Sequence, residues 1–355
     1  MSSIPTLPGI ESKMVDTARL RQHVLFSGPA DGVPVIFIHG NNSSATFWEE
    51  TMLALPAGFR GIAPDLRGYG DTEFKPVDAT RGCGDFADDV LALADALGIE
   101  RFHVAGHSLG GSVVWSIMAT APERLLTVTL AAPGSPYGFG GTKDVDGTPT
   151  WPDFAGSGGG LVNAEFARRE GEKDRSEENP QTAPRVIMNT YYWKPPFRSP
   201  REEELLSSMM SIRVAPNHHP GDMVPSENWP GVGPGVFGPN NALSPKYVGD
   251  TPARILRAAH KPPVLWVHGA DDQIVSDMSL FDIGTLGKLG AVPGWPGDEV
   301  YPPQPMKRQT RRFLQRYEEA GGSYRELELA DCGHTPYLEK PAEFNSAFHA
   351  LLQEA

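Results

Sequence analysis

The chain has 355 residues, 39% hydrophobic and 21% charged, which is enough apolar material for one large core and enough length for an excursion from it. Its formal net charge of −13 argues against nucleic acid or an anionic membrane as partner, because an acidic surface repels both. No apolar stretch reaches the roughly 18 residues a membrane helix needs, and residues 1–20 lack the basic start and apolar run of a secretory signal.

Two cysteines, Cys83 and Cys332, leave room for one bridge at most. That count excludes a disulfide framework and favours a reducing cytoplasm.

Short β-rich runs at residues 23–26 and 35–38 come first. A helical pattern over 47–55 follows, then a short strand at 61–63 and a turn-rich segment, 64–70. Residues 86–97 place Phe86, Val90, Leu91, Leu93 and Leu97 at helical spacing. Residues 102–105 read as a strand, Leu109–Thr120 as a helix and 126–130 as a strand. This alternation predicts βαβ units around a buried, mostly parallel, doubly wound sheet.

The pattern stops after Ala132. Residues 134–251 are rich in Pro and Gly, with helices expected only at 161–170 and 201–212. The charged run 170–178 reads as a solvated face. Alternation resumes with a strand at 264–267, a second irregular stretch at 276–305, an amphipathic helix Met306–Glu319, a strand Tyr324–Leu329 and a last helix at 342–352. No internal repeat is found. The chain thus reads as an α/β core, residues 1–133 and 252–355, carrying an inserted irregular and helical cap, 134–251, over the strand ends. Ligands of open parallel sheets bind outside those carboxyl ends.

Gly106-His107-Ser108-Leu109-Gly110 fits G-x-S-x-G between a strand and a helix. Such a sharp turn strains its central residue and holds the serine oxygen out at the top of the sheet. Ser108 is therefore the candidate nucleophile. The N–H groups of Asn41, in the turn after strand 35–38, and of Leu109, at a helix start, are the candidate pair of oxyanion donors. His39 is expected to order that turn through its ring.

A serine hydroxyl needs a base, and the base needs an orienting acid. Of ten histidines, His334 lies in a polar turn directly after the last strand. His23 and His103 lie within strands and read as core or sheet-edge residues. Asp272, with Asp271 in reserve, follows strand 264–267, and the order Ser, Asp, His is the one expected for this architecture. His218, His219 and Asp222 offer too few ligands for a metal site. The triad reading calls for no cofactor and no metal.

Together with Asp65-Leu66-Arg67-Gly68-Tyr69-Gly70, these motifs resemble the α/β-hydrolase superfamily, in its serine-esterase-like branch with a cap. The resemblance covers about 230 residues on both flanks and leaves the middle unmatched. It implies that Asp272 rather than Asp271 is the acid, and that Asp65 and Arg67 fix a loop near the pocket. Epoxide hydrolases and haloalkane dehalogenases of this kind carry aspartate at the nucleophile position. Serine there implies acyl transfer to water. The expected reaction is hydrolysis of a carboxylic ester or lactone of a small to medium hydrophobic substrate. Cleavage of a carbon–carbon bond or an amide by the same triad is the alternative, and a non-catalytic ligand-binding relative is the alternative of another class. Eight cap aromatics, including Tyr137, Tyr191, Tyr192, Trp193 and Trp229, are expected to pack the cap's own core or to wall an apolar pocket.

Overall fold

The computed structural model describes residues 3–354, so residues 1, 2 and 355 of the expected core segments lie outside it. Eight strands build the main sheet: β1 (Glu11–Asp16), β2 (Arg21–Ser27), β3 (Val33–Ile38), β4 (Phe59–Pro64), β5 (Phe102–His107), β6 (Leu125–Ala131), β7 (Val264–Gly269) and β8 (Tyr324–Leu329). Their order is β1-β2-β4-β3-β5-β6-β7-β8. The pairs β1–β2 and β2–β4 are antiparallel; β4–β3–β5–β6–β7–β8 run parallel. β1 was not among the expected elements. It is an edge strand, half exposed along its length, and its sequence Glu-Ser-Lys-Met-Val-Asp carries no apolar run.

Seven longer helices are α1 (Gly84–Ala96), α2 (Leu109–Thr120), α3 (Ala164–Gly171), α4 (Glu202–Met209), α5 (Thr251–Arg257), α6 (Met306–Glu319) and α7 (Pro341–Gln353). The sheet is buried on both faces, which is why its central strands are continuous apolar runs. Ile36, Ile38, Val104, Val128 and Trp266 point to one side, against Phe86 and Val90 of α1, Val113 and Ile117 of α2, Ile255 of α5 and Phe313 of α6. Val35, Phe37, Ala105 and Val267 point to the other, against Phe47, Trp48, Met52 and the α7 residues Phe344 and Phe348. The helix expected over 47–55 is a 3-10 turn, Ala45–Trp48, followed by Glu49–Leu53.

No strand of residues 134–251 joins the main sheet. This insertion holds two short ribbons, Val214–Ala215 with His219–Pro220 and Met223–Pro225 with Val232–Pro234, together with α3 and α4. Met188, Tyr192, Trp193, Leu205, Leu206 and Met209 pack into the second sheet face rather than into a separate core. The stretch 276–305 joins the insertion from the other side. Its Tyr301 hydroxyl donates to the carbonyls of Ala155 (3.2 Å) and Gly156 (3.3 Å), and the Trp229 indole N–H donates to Pro293 (2.9 Å).

One expectation fails here. The charged run is solvated over 171–178, but Glu170 is buried. It lies one helical turn from the buried Ala167 on the inner side of α3, and its carboxylate is satisfied by hydrogen bonds from Asn42 and His219. Composition over a run does not reveal which of its residues a helix turns inward.

Both cysteines are free and buried, and burial pushes the Cys83 thiol up to about 12. Among the described residues no helix is long and apolar enough to cross a membrane.

Phe37 has no exposed surface and touches the rings of Trp48 (5.2 Å) and Phe348 (5.9 Å). Phe37→Ala is expected to lower unfolding stability by about 3–5 kcal/mol in a urea titration. His103, on β5, donates to or accepts from the Thr127 hydroxyl at 2.7 Å, and burial, with Arg101 nearby, lowers its pKa from 6.5 to about 4. The unfolded chain therefore takes up this proton near pH 6.5 and the folded chain only near 4. Its contribution is complete above pH 6.5 and shrinks by about 1.4 kcal/mol per pH unit down to about 4. Urea titrations across that window should give a shallower pH dependence for His103→Gln than for the native chain.

Candidate active site

β5 ends at His107, α2 begins at Leu109, and Ser108 alone makes the turn between them at φ 54°, ψ −116°. For an L-residue this is a strained conformation costing of order 1–3 kcal/mol. It is held in place from all sides. The Ser108 N–H donates to Ala131 (3.1 Å), and its carbonyl accepts from Gly111 (2.9 Å) and Gly134 (3.1 Å). The turn also needs close backbone approach: a Cβ on Gly110 would lie 2.2 Å from the Ile38 carbonyl oxygen. Ser108 keeps partial exposure while His107 and Leu109 on either side are buried.

The turn after β3 passes directly above this elbow. A Cβ on Gly40 would stand 3.1 Å from the Ser108 Cβ, so glycine lets the two turns touch. His39 orders the turn, as expected. Its Nε2 accepts from the Leu66 N–H at 3.0 Å, which fixes the proton on Nδ1, and Nδ1–H donates to the Gly40 carbonyl at 2.7 Å. Burial lowers the His39 pKa, so the ring stays neutral and keeps both roles. The Tyr69 hydroxyl donates to the Asn41 side chain at 2.6 Å. Among the described residues neither the Asn41 nor the Leu109 N–H has a protein acceptor, which leaves both available for an oxygen beside Ser108.

His334 and Asp272 meet at the carboxyl ends of β8 and β7. His334 Nδ1–H donates to Asp272 Oδ2 at 2.8 Å, and both side chains are buried. The other carboxylate oxygen accepts from the N–H groups of Ile274 (2.8 Å) and Val275 (3.0 Å). Asp271 instead lies half exposed and pairs with Lys194 at 2.9 Å. In the neutral His334 ring the Nδ1–H bond to Asp272 leaves Nε2 as the free acceptor.

His334 is docked against the elbow through its neighbour. His107 Nε2–H donates to the His334 carbonyl at 2.9 Å, the two rings lie 4.7 Å apart, and the Tyr337 hydroxyl donates to His107 Nδ1 at 3.3 Å. The half-buried Glu339 carboxylate ties the loop further, accepting from Gly333 (2.9 Å) and Thr335 (3.3 Å). The structure thus docks the His334 loop on His107, the residue preceding Ser108, and among the described residues no hydrogen bond joins the Ser108 hydroxyl to the imidazole. Such contacts are commonly loose before substrate binds.

His107, Tyr337, Glu339 and Tyr69 were not singled out by the sequence. The spacing of Gly333, His334 and Glu339 was visible, but no local pattern says that a carboxylate five residues on will fold back over the loop. Asp65 and Arg67 fix the neighbouring loop, as expected: Asp65 binds His23 (2.7 Å) and the Ala45 N–H (2.8 Å), and Arg67 grips Asp89 through two nitrogens (2.6 and 2.7 Å). His23, Asp65 and Asp71 are close enough to hold a metal, but His23 spends both ring nitrogens on Asp65 and Ser12. His219 turns to Glu170, and Asp222 accepts from the N–H groups of Val236 and Phe237.

A model of the alpha/beta hydrolase fold family matches residues 33–282, more than half of the chain, and the chain belongs to that family. It is 34% identical over 119 residues to epoxide hydrolase 2 of Siraitia grosvenorii, a match covering 33% of this chain and 36% of that one. It is 32% identical over 127 residues to the carboxylesterase YbfK of Bacillus subtilis, covering 36% and 43%. The chain thus matches well under half the length of these relatives. The crystal structure of the Bacillus subtilis carboxylesterase CesB (YbfK) superposes with a TM-score of 0.57 at 20% identity, over 98% of this chain and 92% of that one. The protein is accordingly a hydrolase-family member of this fold, with relatives that include carboxylesterases and epoxide hydrolases.

The geometry separates the two neighbouring carboxylates. Asp272→Asn should lower turnover of an ester substrate by about 10⁴-fold, since the amide reverses the hydrogen bond that sets the His334 tautomer. Asp271→Asn, at a solvated ion pair, should leave turnover within a factor of about two. Steady-state kinetics of both variants make the comparison.

Proposed function

We propose that the protein is a serine hydrolase that cleaves a carboxylic ester or lactone of a small to medium hydrophobic substrate through an acyl-enzyme. Two features support this reading: Ser108, strained and partly exposed at the end of its strand, and the His334–Asp272 pair held at 2.8 Å, whose loop docks on His107 next to Ser108. The relationship to carboxylesterases supports it. Serine at the elbow also supports it over epoxide opening, because its oxygen attacks an acyl carbon and forms an acyl-enzyme ester that water can hydrolyse.

In the proposed sequence, the Ser108 oxygen attacks the carbonyl carbon as His334 Nε2 takes its proton. Asp272 stabilises the imidazolium that forms. The N–H groups of Asn41 and Leu109 donate to the oxyanion. The tetrahedral species collapses as His334 protonates the departing alcohol. His334 then removes a proton from water, which attacks the acyl-enzyme, and the acid leaves as Ser108 recovers its proton.

Residues 134–251 act as a cap in this reading, roofing the strand ends. Its aromatic side chains and the 276–305 stretch shape the acyl pocket. The two buried free thiols fit a reducing cytoplasm.

A fluorophosphonate probe is expected to label the native chain at Ser108 and to leave Ser108→Ala unlabelled. p-Nitrophenyl esters of increasing acyl length should be turned over, with an optimum at short to medium chains. Absence of both labelling and turnover would refute the hydrolase reading.

A further inference from the structure

The insertion reaches into the oxyanion turn at two points. Glu170, near the end of α3, is fully buried, and one of its carboxylate oxygens accepts from the side-chain amide of Asn42. The other accepts from His219 Nε2–H at 3.0 Å. From the opposite side the Tyr192 hydroxyl donates to the Asn42 carbonyl at 2.9 Å. The Tyr192 carbonyl in turn accepts from the Thr335 hydroxyl at 2.7 Å, one residue beyond His334. Asn42 is therefore gripped by side chain and main chain, and it follows Asn41 directly.

Asn42 stands at φ 47°, a left-handed conformation that an L-residue adopts only at some cost. The turn that carries the Asn41 N–H is thus held by the insertion as well as by His39 and Ser43. A buried carboxylate is itself costly unless paired and hydrogen-bonded. Here both its oxygens are engaged, one by the ribbon of the insertion and one by the turn.

We propose that Glu170 is a positioning residue that fixes the Asn41 N–H beside Ser108 through the Asn42 amide, with Tyr192 as the second clamp; the inference rests on the serine-hydrolase reading of the same site. The insertion on this account does more than roof the pocket. It completes the oxyanion donor set, because the turn it holds belongs to the sheet domain and the clamp does not. Displacing a preorganised donor by about 1 Å costs on the order of 100-fold in rate.

The test compares Glu170→Ala, Glu170→Gln and Asn42→Gly. Glutamine keeps a carbonyl acceptor for the Asn42 amide, and glycine keeps the positive φ while removing the amide. Three measurements are made on each: hydrolysis of p-nitrophenyl butyrate, affinity for an alkylboronic acid that forms a tetrahedral adduct on serine, and amide hydrogen exchange over residues 39–44. Glu170→Ala and Asn42→Gly should lower kcat by about 10- to 100-fold, on the scale of losing part of one oxyanion donor, with KM little changed. Boronate affinity should fall in parallel, exchange over 39–44 should accelerate, and Glu170→Gln should recover most of kcat.

The proposal is overturned if both variants keep kcat within about twofold of the native enzyme, if the loss falls in KM alone, or if Glu170→Gln is as impaired as Glu170→Ala. Should Glu170→Ala not fold, Asn42→Gly carries the test with the insertion intact. If the native protein neither hydrolyses esters nor labels at Ser108, the hydrolase reading fails separately. Hydrogen exchange then decides: acceleration confined to 39–44 in Asn42→Gly supports the clamp, and unchanged exchange refutes it.

Discussion

Ser108 is held in a backbone conformation that its own chemistry disfavours, and the surrounding architecture exists around that hold. A positive φ at the strand-to-helix turn persists only because β6 accepts its N–H while Gly111 and Gly134 donate to its carbonyl. The absence of a Cβ at Gly110 lets α2 press against the end of β3. Relaxing that turn would let the serine oxygen fall back toward the helix, and the partly exposed hydroxyl would lose its place above the sheet. The strain is offset by the two buried faces of the sheet, whose clusters reach from Val24 to Tyr317 on one side and from Leu25 to Leu352 on the other.

Around the elbow, each group that approaches is itself oriented by a second. Asp272 sets the tautomer of His334 while its other oxygen is occupied by two backbone N–H groups. His107 holds the His334 main chain and is held by Tyr337. Burial and the neighbouring His334 keep the His107 pKa well below its ordinary value, so the ring remains neutral and can donate at Nε2 while accepting at Nδ1. The histidine inside the Gly106–Gly110 motif therefore acts as a neutral strut between the Ser108 turn and the His334 loop.

The inserted residues belong to the same mechanical unit. Their apolar side chains are part of the second sheet cluster, and Ser208 meets Ser44 just past the oxyanion turn at 2.6 Å. The 276–305 stretch is locked to the first part of the insertion by a buried amide network in which Gln304 and Gln309 bridge Gly138, Ser135 and Thr142. The two excursions are thus tied to each other and, through the second sheet cluster, to the core.

The parallel core was legible because a strand buried on both faces must be apolar throughout, as residues 35–38 and 102–105 are. The elbow was legible because only a short motif flanked by strand and helix makes such a turn. Asp272, His334, Asn41 and Leu109 stand out as candidates because each follows a strand end or starts a helix. β1 was not legible, since an edge strand with a hydrated side needs no apolar run. Nor was the burial of Glu170, because its partners Asn42 and His219 lie 128 and 49 residues away. By itself the sequence determined local geometry and the chemical cast, through periodicity and turn chemistry that act over a few residues. Tertiary structure alone decided which polar groups meet, because hydrogen bonds between distant segments are set by packing and leave no local periodic trace.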